Sequence, residues 1–212
     1  MSVLLTGFVP FAGDEVNSSW LAVQRAVREW RGADAPHAGV LPVEFGAAAE
    51  RMDELLERYR PDVVIATGLA VGRDAVTPER IAINVDDARI PDNAGRAPID
   101  RPIITDGPAA YFTTLPIKAA VDAVEAAGIR SRVSQTAGTF VCNHVFYHLM
   151  HVAHATGGMR AGFVHVPVAA EFPSDVGVPT MPLADIATAL TLIVRTCVTA
   201  GVDARITGGA IS

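Results

Sequence analysis

Val63-Val-Ile-Ala-Thr67-Gly68 is a short, unbroken apolar run that ends in glycine. Such a run is what a strand buried on both faces requires, and such strands belong to parallel sheets covered by helices. Working outward on the N-terminal side, about Gly46 to Tyr59 has helical period and stops before Pro61, and Gly39–Val43 reads as a strand. Ser18–Trp30 carries apolar residues at Trp20, Leu21, Val23, Val27 and Trp30, the stripe of an amphipathic helix, and Val3–Thr6 reads as a first strand.

On the C-terminal side, Arg80–Asn84 reads as a short strand and Val85–Pro108, rich in proline and aspartate, as a long ordered loop. Loops of that length in a compact domain tend to be functional. Thr114-Leu-Pro116 opens a helix that closes at Gly128, with Thr114 as its expected cap. Arg130–Ser134 reads as a strand, Gln135–Thr139 as a turn, Cys142–Thr156 as a helix, Gly162–Val166 as a strand and Leu183–Ala200 as the last helix. This alternation predicts an α/β sandwich around a mostly parallel sheet. With no internal repeat and no low-complexity linker, residues 1–212 are expected to form a single domain.

Half of the residues are hydrophobic and 19% are charged, enough to build a sizeable core. The net charge of −6 is spread along the chain, which argues against a nucleic-acid footprint. The N-terminus has no basic stretch before its apolar residues, and no apolar run approaches the roughly 18 residues that span a bilayer. Two cysteines make no disulfide framework, so the expected compartment is the reducing cytoplasm.

The chemistry centres on Ser134-Gln-Thr-Ala-Gly-Thr-Phe-Val-Cys142-Asn-His-Val-Phe-Tyr147, where a strand passes through small residues into a helix. Cys142 then stands at a helix N-terminus, whose amides are expected to favour a thiolate and to receive an oxyanion. The alternative is a small buried hydrophobe, the commonest fate of a free cysteine. His165 ends the apolar run Ala161-Gly-Phe-Val-His165 and needs either a hydrogen-bond partner or a chemical role. Glu79 precedes a strand, where a carboxylate is ordinarily a solvated charge but could orient an imidazole.

These residues lie in segments that resemble the pyroglutamyl peptidase type I (pyrrolidone-carboxylate peptidase) family. The matching segments are Leu4-Leu-Thr-Gly-Phe-Val-Pro-Phe11, Glu79-Arg-Ile-Ala-Ile-Asn84, Asp86-Asp-Ala-Arg-Ile-Pro-Asp-Asn93, Ser134–Tyr147 and Gly162-Phe-Val-His-Val-Pro167. The resemblance implies a cysteine peptidase that removes N-terminal pyroglutamate through a thioester, with Cys142 as nucleophile, His165 as base and Glu79 orienting His165. It also implies a substrate pocket lined by Phe8, Phe11, Val43, Ile90, Phe140 and Val141, with Arg89 beside the reacting centre. It further implies a three-layer α/β/α sandwich with an open, twisted sheet, a homo-oligomer (dimer or tetramer), and no metal or organic cofactor. Gly68-Leu-Ala-Val-Gly72 departs from the family's usual Gly-Gln-Ala-Gly-Gly, and Val168-Ala-Ala-Glu-Phe-Pro173 from its usual continuation, so Leu69 and Val71 are expected to alter substrate contacts.

Three other readings compete. His144, His148 and His151 share a helix face at metal-ligand spacing, with His154 nearby, but their helix offers no acidic ligand or base. A non-catalytic binding protein on the same scaffold is a second possibility. A nucleoside phosphorylase is a third, though Gly7-Phe-Val-Pro-Phe-Ala-Gly13 is too bulky for a phosphate cradle. Cys197, on the apolar stripe of the last helix, reads as a packing residue.

Overall fold

A computed structural model describes residues 1–209. In chain order its elements are β1 (Val3–Phe8), α1 (Ser18–Arg28), β2 (His37–Leu41), α2 (Ala47–Tyr59), β3 (Val63–Leu69), β4 (Thr77–Pro78), β5 (Ile81–Ile83) and β6 (Ala110–Phe112). They continue with α3 (Ile117–Ala126), α4 (Val141–Thr156), β7 (Arg160–Val166), β8 (Val168–Ala169), β9 (Thr180–Met181) and α5 (Leu183–Thr199). The main sheet has the order β2-β1-β3-β7-β4, parallel except for the short edge strand β4.

Alternate residues of the central strands supply two cores. Leu5, Ile65 and Val164 face α1, α3 and α5, together with Val23, Val124, Leu190 and Ile193. Leu4, Val64, Ala66 and Phe163 face α2 and α4, together with Met52, Leu55, Val145 and Leu149. With both faces covered, every residue of β1 is buried, and this is why the strands read as continuous apolar runs rather than alternations. The architecture is the expected α/β/α sandwich.

Several boundaries differ from the sequence reading. β2 begins at His37 rather than Gly39, because its register on β1 runs from Leu4↔His37 to Phe8↔Leu41. Val43 therefore leaves the strand. Arg80–Asn84 does not join the main sheet; β5 instead pairs with β6 in a separate two-stranded ribbon. Arg130–Ser134 forms only the isolated bridges Val76↔Ser131 and Glu79↔Ser134. Its neighbour β4 is two residues long, and Pro78 has no N–H to extend a ladder.

Thr114 is not the cap of α3, whose N-cap is Pro116. The Thr114 hydroxyl is engaged with the Ala161 backbone, and the carboxylate of Asp203 accepts from the Lys118 and Ala119 amides at 3.0 Å. A cap supplied from 85 residues away has no local signature.

Residues 85–108 form the long loop the composition predicts, fixed by side chains that bind backbone. Asn84 Nδ2 donates to Ile104 O (2.9 Å) while its Oδ1 accepts from Ile104 N (3.0 Å). The Asp92 carboxylate accepts from the amides of Phe45, Ala94 and Arg96. Among the described residues, no helix is long and apolar enough to cross a membrane.

Candidate active site

The nucleophile turn is shaped before α4 begins. Ser134 and Thr136 hydroxyls bond to nearby backbone, Gly138 takes φ +78°, and Gly138 N donates to Thr136 Oγ1 at 3.0 Å. Phe140 is extended as N-cap, so Cys142 is the second residue of α4. The first amides of a helix lack intrahelical acceptors and concentrate positive potential beside the thiol.

Asn143 holds this turn of helix in place. Its buried side chain accepts from Ile83 N (3.1 Å) and donates to Ile83 O (2.9 Å) and Val85 O (3.1 Å). Thr139 exchanges hydrogen bonds with the Asp87 backbone, so the long loop also clamps the residue three before the cysteine.

Strand β3 approaches the thiol closely. A Cβ on Gly68 would lie 2.7 Å from Cys142 Sγ and 2.9 Å from the Phe163 ring, so only a glycine fits without displacing both. Gly68 is also the register partner of His165 on β7. Cys142 and His165 are thus both neighbours of Gly68, near the C-terminal ends of the adjacent parallel strands β3 and β7, where α/β folds gather their sites.

His165 is 4% exposed, and its Nδ1 lies 2.7 Å from Glu79 Oε1. Glu79 is fully buried rather than solvated. It extends β4 by one residue, its amide donating to Phe163 O and its backbone bridging to Ser134. The carboxylate fixes Nδ1 as the protonated nitrogen and leaves Nε2 as the basic one.

Arg73, which the sequence reading did not single out, completes the cluster. Its Nη1 donates to the same Glu79 Oε1 at 2.6 Å and also to Thr77 Oγ1, and its Nη2 donates to Thr136 O at 3.1 Å. A lone arginine in the glycine-containing segment after β3 carries no local signal. Only the tertiary approach of Glu79 reveals it.

Electrostatics change one expectation. Burial pushes the Cys142 thiol up to about 12; the negative charge of Glu79 adds to this and the positive charge of Arg73 opposes it. Burial likewise holds His165 below its ordinary 6.5, against the raising effect of Glu79's hydrogen bond and charge, while Arg73 lowers it further. Burial thus favours the neutral forms of both groups, while the helix N-terminus acts in the opposite sense on the sulfur.

Beside Cys142 lies an apolar cavity of about 120 Å³ lined by Phe8, Phe11, Asp14, Asn17, Val43, Leu69, Val71, Phe140 and Val141. Phe11 packs on Phe140 with ring centroids 5.4 Å apart, and Phe45 meets Phe140 edge-on at 5.2 Å, which stiffens the wall. Of the residues expected here, Phe8, Phe11, Val43, Phe140 and Val141 line the cavity. Arg89 and Ile90 do not: both are exposed on the long loop, Ile90 at 46%. Leu69 and Val71 do line it, so the two departures from the family pattern face the site.

The histidines of α4 take separate partners. His144 Nδ1 bonds Asp86 at 2.8 Å while its Nε2 accepts from Gly46 N, His148 pairs with Asp53, and His151 bonds the Tyr111 hydroxyl. The acidic partners of His144 and His148 come from outside the helix, one to each, and His151 has a phenol instead. Among the described residues, no three His, Cys, Asp or Glu side chains gather as a metal site.

Comparison with known proteins agrees with this geometry. The pyroglutamyl peptidase family model matches residues 1–200. The chain is 50% identical over 210 residues to a pyrrolidone-carboxylate peptidase of Clavibacter michiganensis, covering 99% of both chains. It is equally similar, over 211 residues, to one from Chromobacterium violaceum, again with 99% of both covered. The crystal structure of pyroglutamyl peptidase I from Bacillus amyloliquefaciens superposes with a TM-score of 0.94 at 40% identity, covering 97% of this chain and 99% of that one. The pyrrolidone carboxyl peptidase of Thermococcus litoralis does so with a TM-score of 0.87 at 36% identity, covering 93% of both. With the family model matched over residues 1–200 and relatives half identical along almost their whole length, this chain belongs to the pyroglutamyl peptidase family.

Proposed function

We propose that this protein is a cysteine peptidase that hydrolyses the amide bond after an N-terminal pyroglutamyl residue, with Cys142 as nucleophile, His165 as base and Glu79 as the residue that orients the base. The observation that carries this reading is the shared corner at which Gly68 stands opposite His165 and in contact range of Cys142 Sγ, beside an apolar cavity. Pyroglutamate is a neutral five-membered lactam, and a small pocket walled by Phe8, Phe11 and Phe140 accepts its ring without stranding a charge.

Attack on the carbonyl and proton transfer proceed together. His165 Nε2 takes the Sγ proton as sulfur bonds to the pyroglutamyl carbonyl carbon, and negative charge moves to the carbonyl oxygen. The amides at the start of α4 receive that oxyanion. As the carbon–nitrogen bond breaks, the imidazolium returns its proton to the leaving amine, leaving a thioester on Cys142. The neutral imidazole then activates water, which hydrolyses the thioester and restores the thiol. Glu79 stabilises the transient imidazolium, and Arg73 braces Glu79 by bonding the same oxygen.

Rapid quenching of the enzyme with a pyroglutamyl ester, followed by peptide mass mapping, tests the reading. One pyroglutamyl group on the peptide containing Cys142 is the expected product. Acylation elsewhere, or none during turnover, contradicts it. Two unpaired cysteines suit the cytoplasm as the working compartment, and assembly as a homo-oligomer is checked by light scattering.

A further inference from the structure

A second depression opens directly off the cavity beside Cys142. It has a volume of about 560 Å³ and shares Asp14, Leu69 and Val71 with the smaller cavity. Its apolar lining is Val16, Val168, Phe172, Pro173 and Val178, and its rim carries Glu15 and Asp175. Val71, at the junction, is 66% exposed. Glu15 and Asp175 are exposed as well, and no cationic side chain lines the groove. Among the described residues, neither these two carboxylates nor Asp14 enters an ion pair.

The two volumes divide the substrate. The small cavity has room for one compact ring, so the remainder of a peptide has to leave it past the thiol. The groove shares three residues with the cavity, which makes it the continuous path. Leu69 and Val71 make that path more apolar than the family pattern would, since they replace an amide side chain and a glycine.

We propose that this groove binds the leaving portion of the substrate, seating the side chain of the residue after pyroglutamate. It prefers apolar and basic side chains there and disfavours acidic ones. This inference rests on the peptidase reading. Apolar side chains gain by covering Val178 and Phe172. Basic ones gain from Glu15 and Asp175, whereas an acidic one meets two unpaired like charges at the rim.

The test compares kcat/KM on pyroglutamyl-arginine, pyroglutamyl-leucine and pyroglutamyl-glutamate amides with that on a pyroglutamyl fluorescent amide, at low and high salt. At low salt the wild type is expected to favour the arginine and leucine substrates over the glutamate one by about fivefold or more, as two partly screened charge contacts allow. Raising the salt narrows the arginine–glutamate gap but leaves the rate on the uncharged leucine substrate unchanged. In the double variant Glu15→Gln/Asp175→Asn the arginine-to-glutamate ratio falls toward one, and in Asp175→Lys it inverts. Both positions are exposed, so the variants fold. Equal rates across the wild-type series, or a ratio unchanged by either variant, overturns the groove assignment alone. Failure of the wild type to hydrolyse even the fluorescent amide overturns the peptidase reading on which it rests.

Discussion

Glu79 Oε1 accepts from both His165 Nδ1 and Arg73 Nη1, so one buried oxygen joins the base to a cation. Glu79→Gln keeps the shape but presents an amide to Nδ1, favouring the wrong tautomer; kcat is expected to fall by about 10²–10⁴-fold with circular dichroism unchanged. Removing the Arg73 charge has a different signature. Arg73 lowers His165, so Arg73→Gln raises it and moves the acid limb of the kcat/KM profile to higher pH, and Arg73→Lys moves it back. In the wild type, that limb is expected below the usual 6.5, because burial holds His165 in its neutral form. From position alone Cys142 and His165 stayed open to plain packing roles, and the family resemblance of their segments is what singled them out. Arg73 breaks no local pattern, and the burial that opposes a Cys142 thiolate is not visible in sequence as a helix terminus is.

At the scale of elements, catalysis depends on how closely β3 and α4 approach. Gly68→Ala places a methyl group 2.7 Å from Sγ, so the thiol or the strand must shift. Turnover is expected to fall at least tenfold, since displacement of reacting groups by about 1 Å can cost 10²-fold. Measured kcat matching wild type would mean that the approach has slack. Asn143 serves the helix rather than the chemistry: Asn143→Ala strands the Ile83 and Val85 backbone groups and is expected to cost about 2–4 kcal/mol in urea unfolding. The helices and central strands were readable because two buried sheet faces and amphipathic helices impose strong periodicity. The ribbon β5–β6, the edge strand β4 and the Asp203 cap of α3 were not, because each is two or three residues long or is completed by distant chain. Arg89 and Ile90, which family likeness puts at the site, are exposed on the long loop and do not line the cavity.

The whole molecule couples its chemistry to its stability through groups buried in their neutral forms. His165 is depressed in the fold, so the unfolded chain takes up a proton near 6.5 before the native one does, and stability is lost as pH falls from there. Cys142 and Cys197 are both pushed up to about 12, so the unfolded chain releases their protons near 9 first, and stability is lost as pH rises above that value. The urea midpoint is therefore expected to be highest between about pH 6.5 and 9, and Cys197→Ala should soften the alkaline decline; a midpoint still rising at pH 10 would contradict it. Cys197 is sealed in the core formed by α1, α3 and α5, on the sheet face opposite the site, so iodoacetamide should reach Cys142 first and Cys197 only on unfolding. The most direct test of the whole account is hydrolysis of a pyroglutamyl fluorescent amide, with the prolyl amide as control, by wild type and Cys142→Ser. Release from the pyroglutamyl substrate alone, lost in the variant, is the predicted result. Equal cleavage of the prolyl amide, or undiminished turnover by Cys142→Ser, would contradict it.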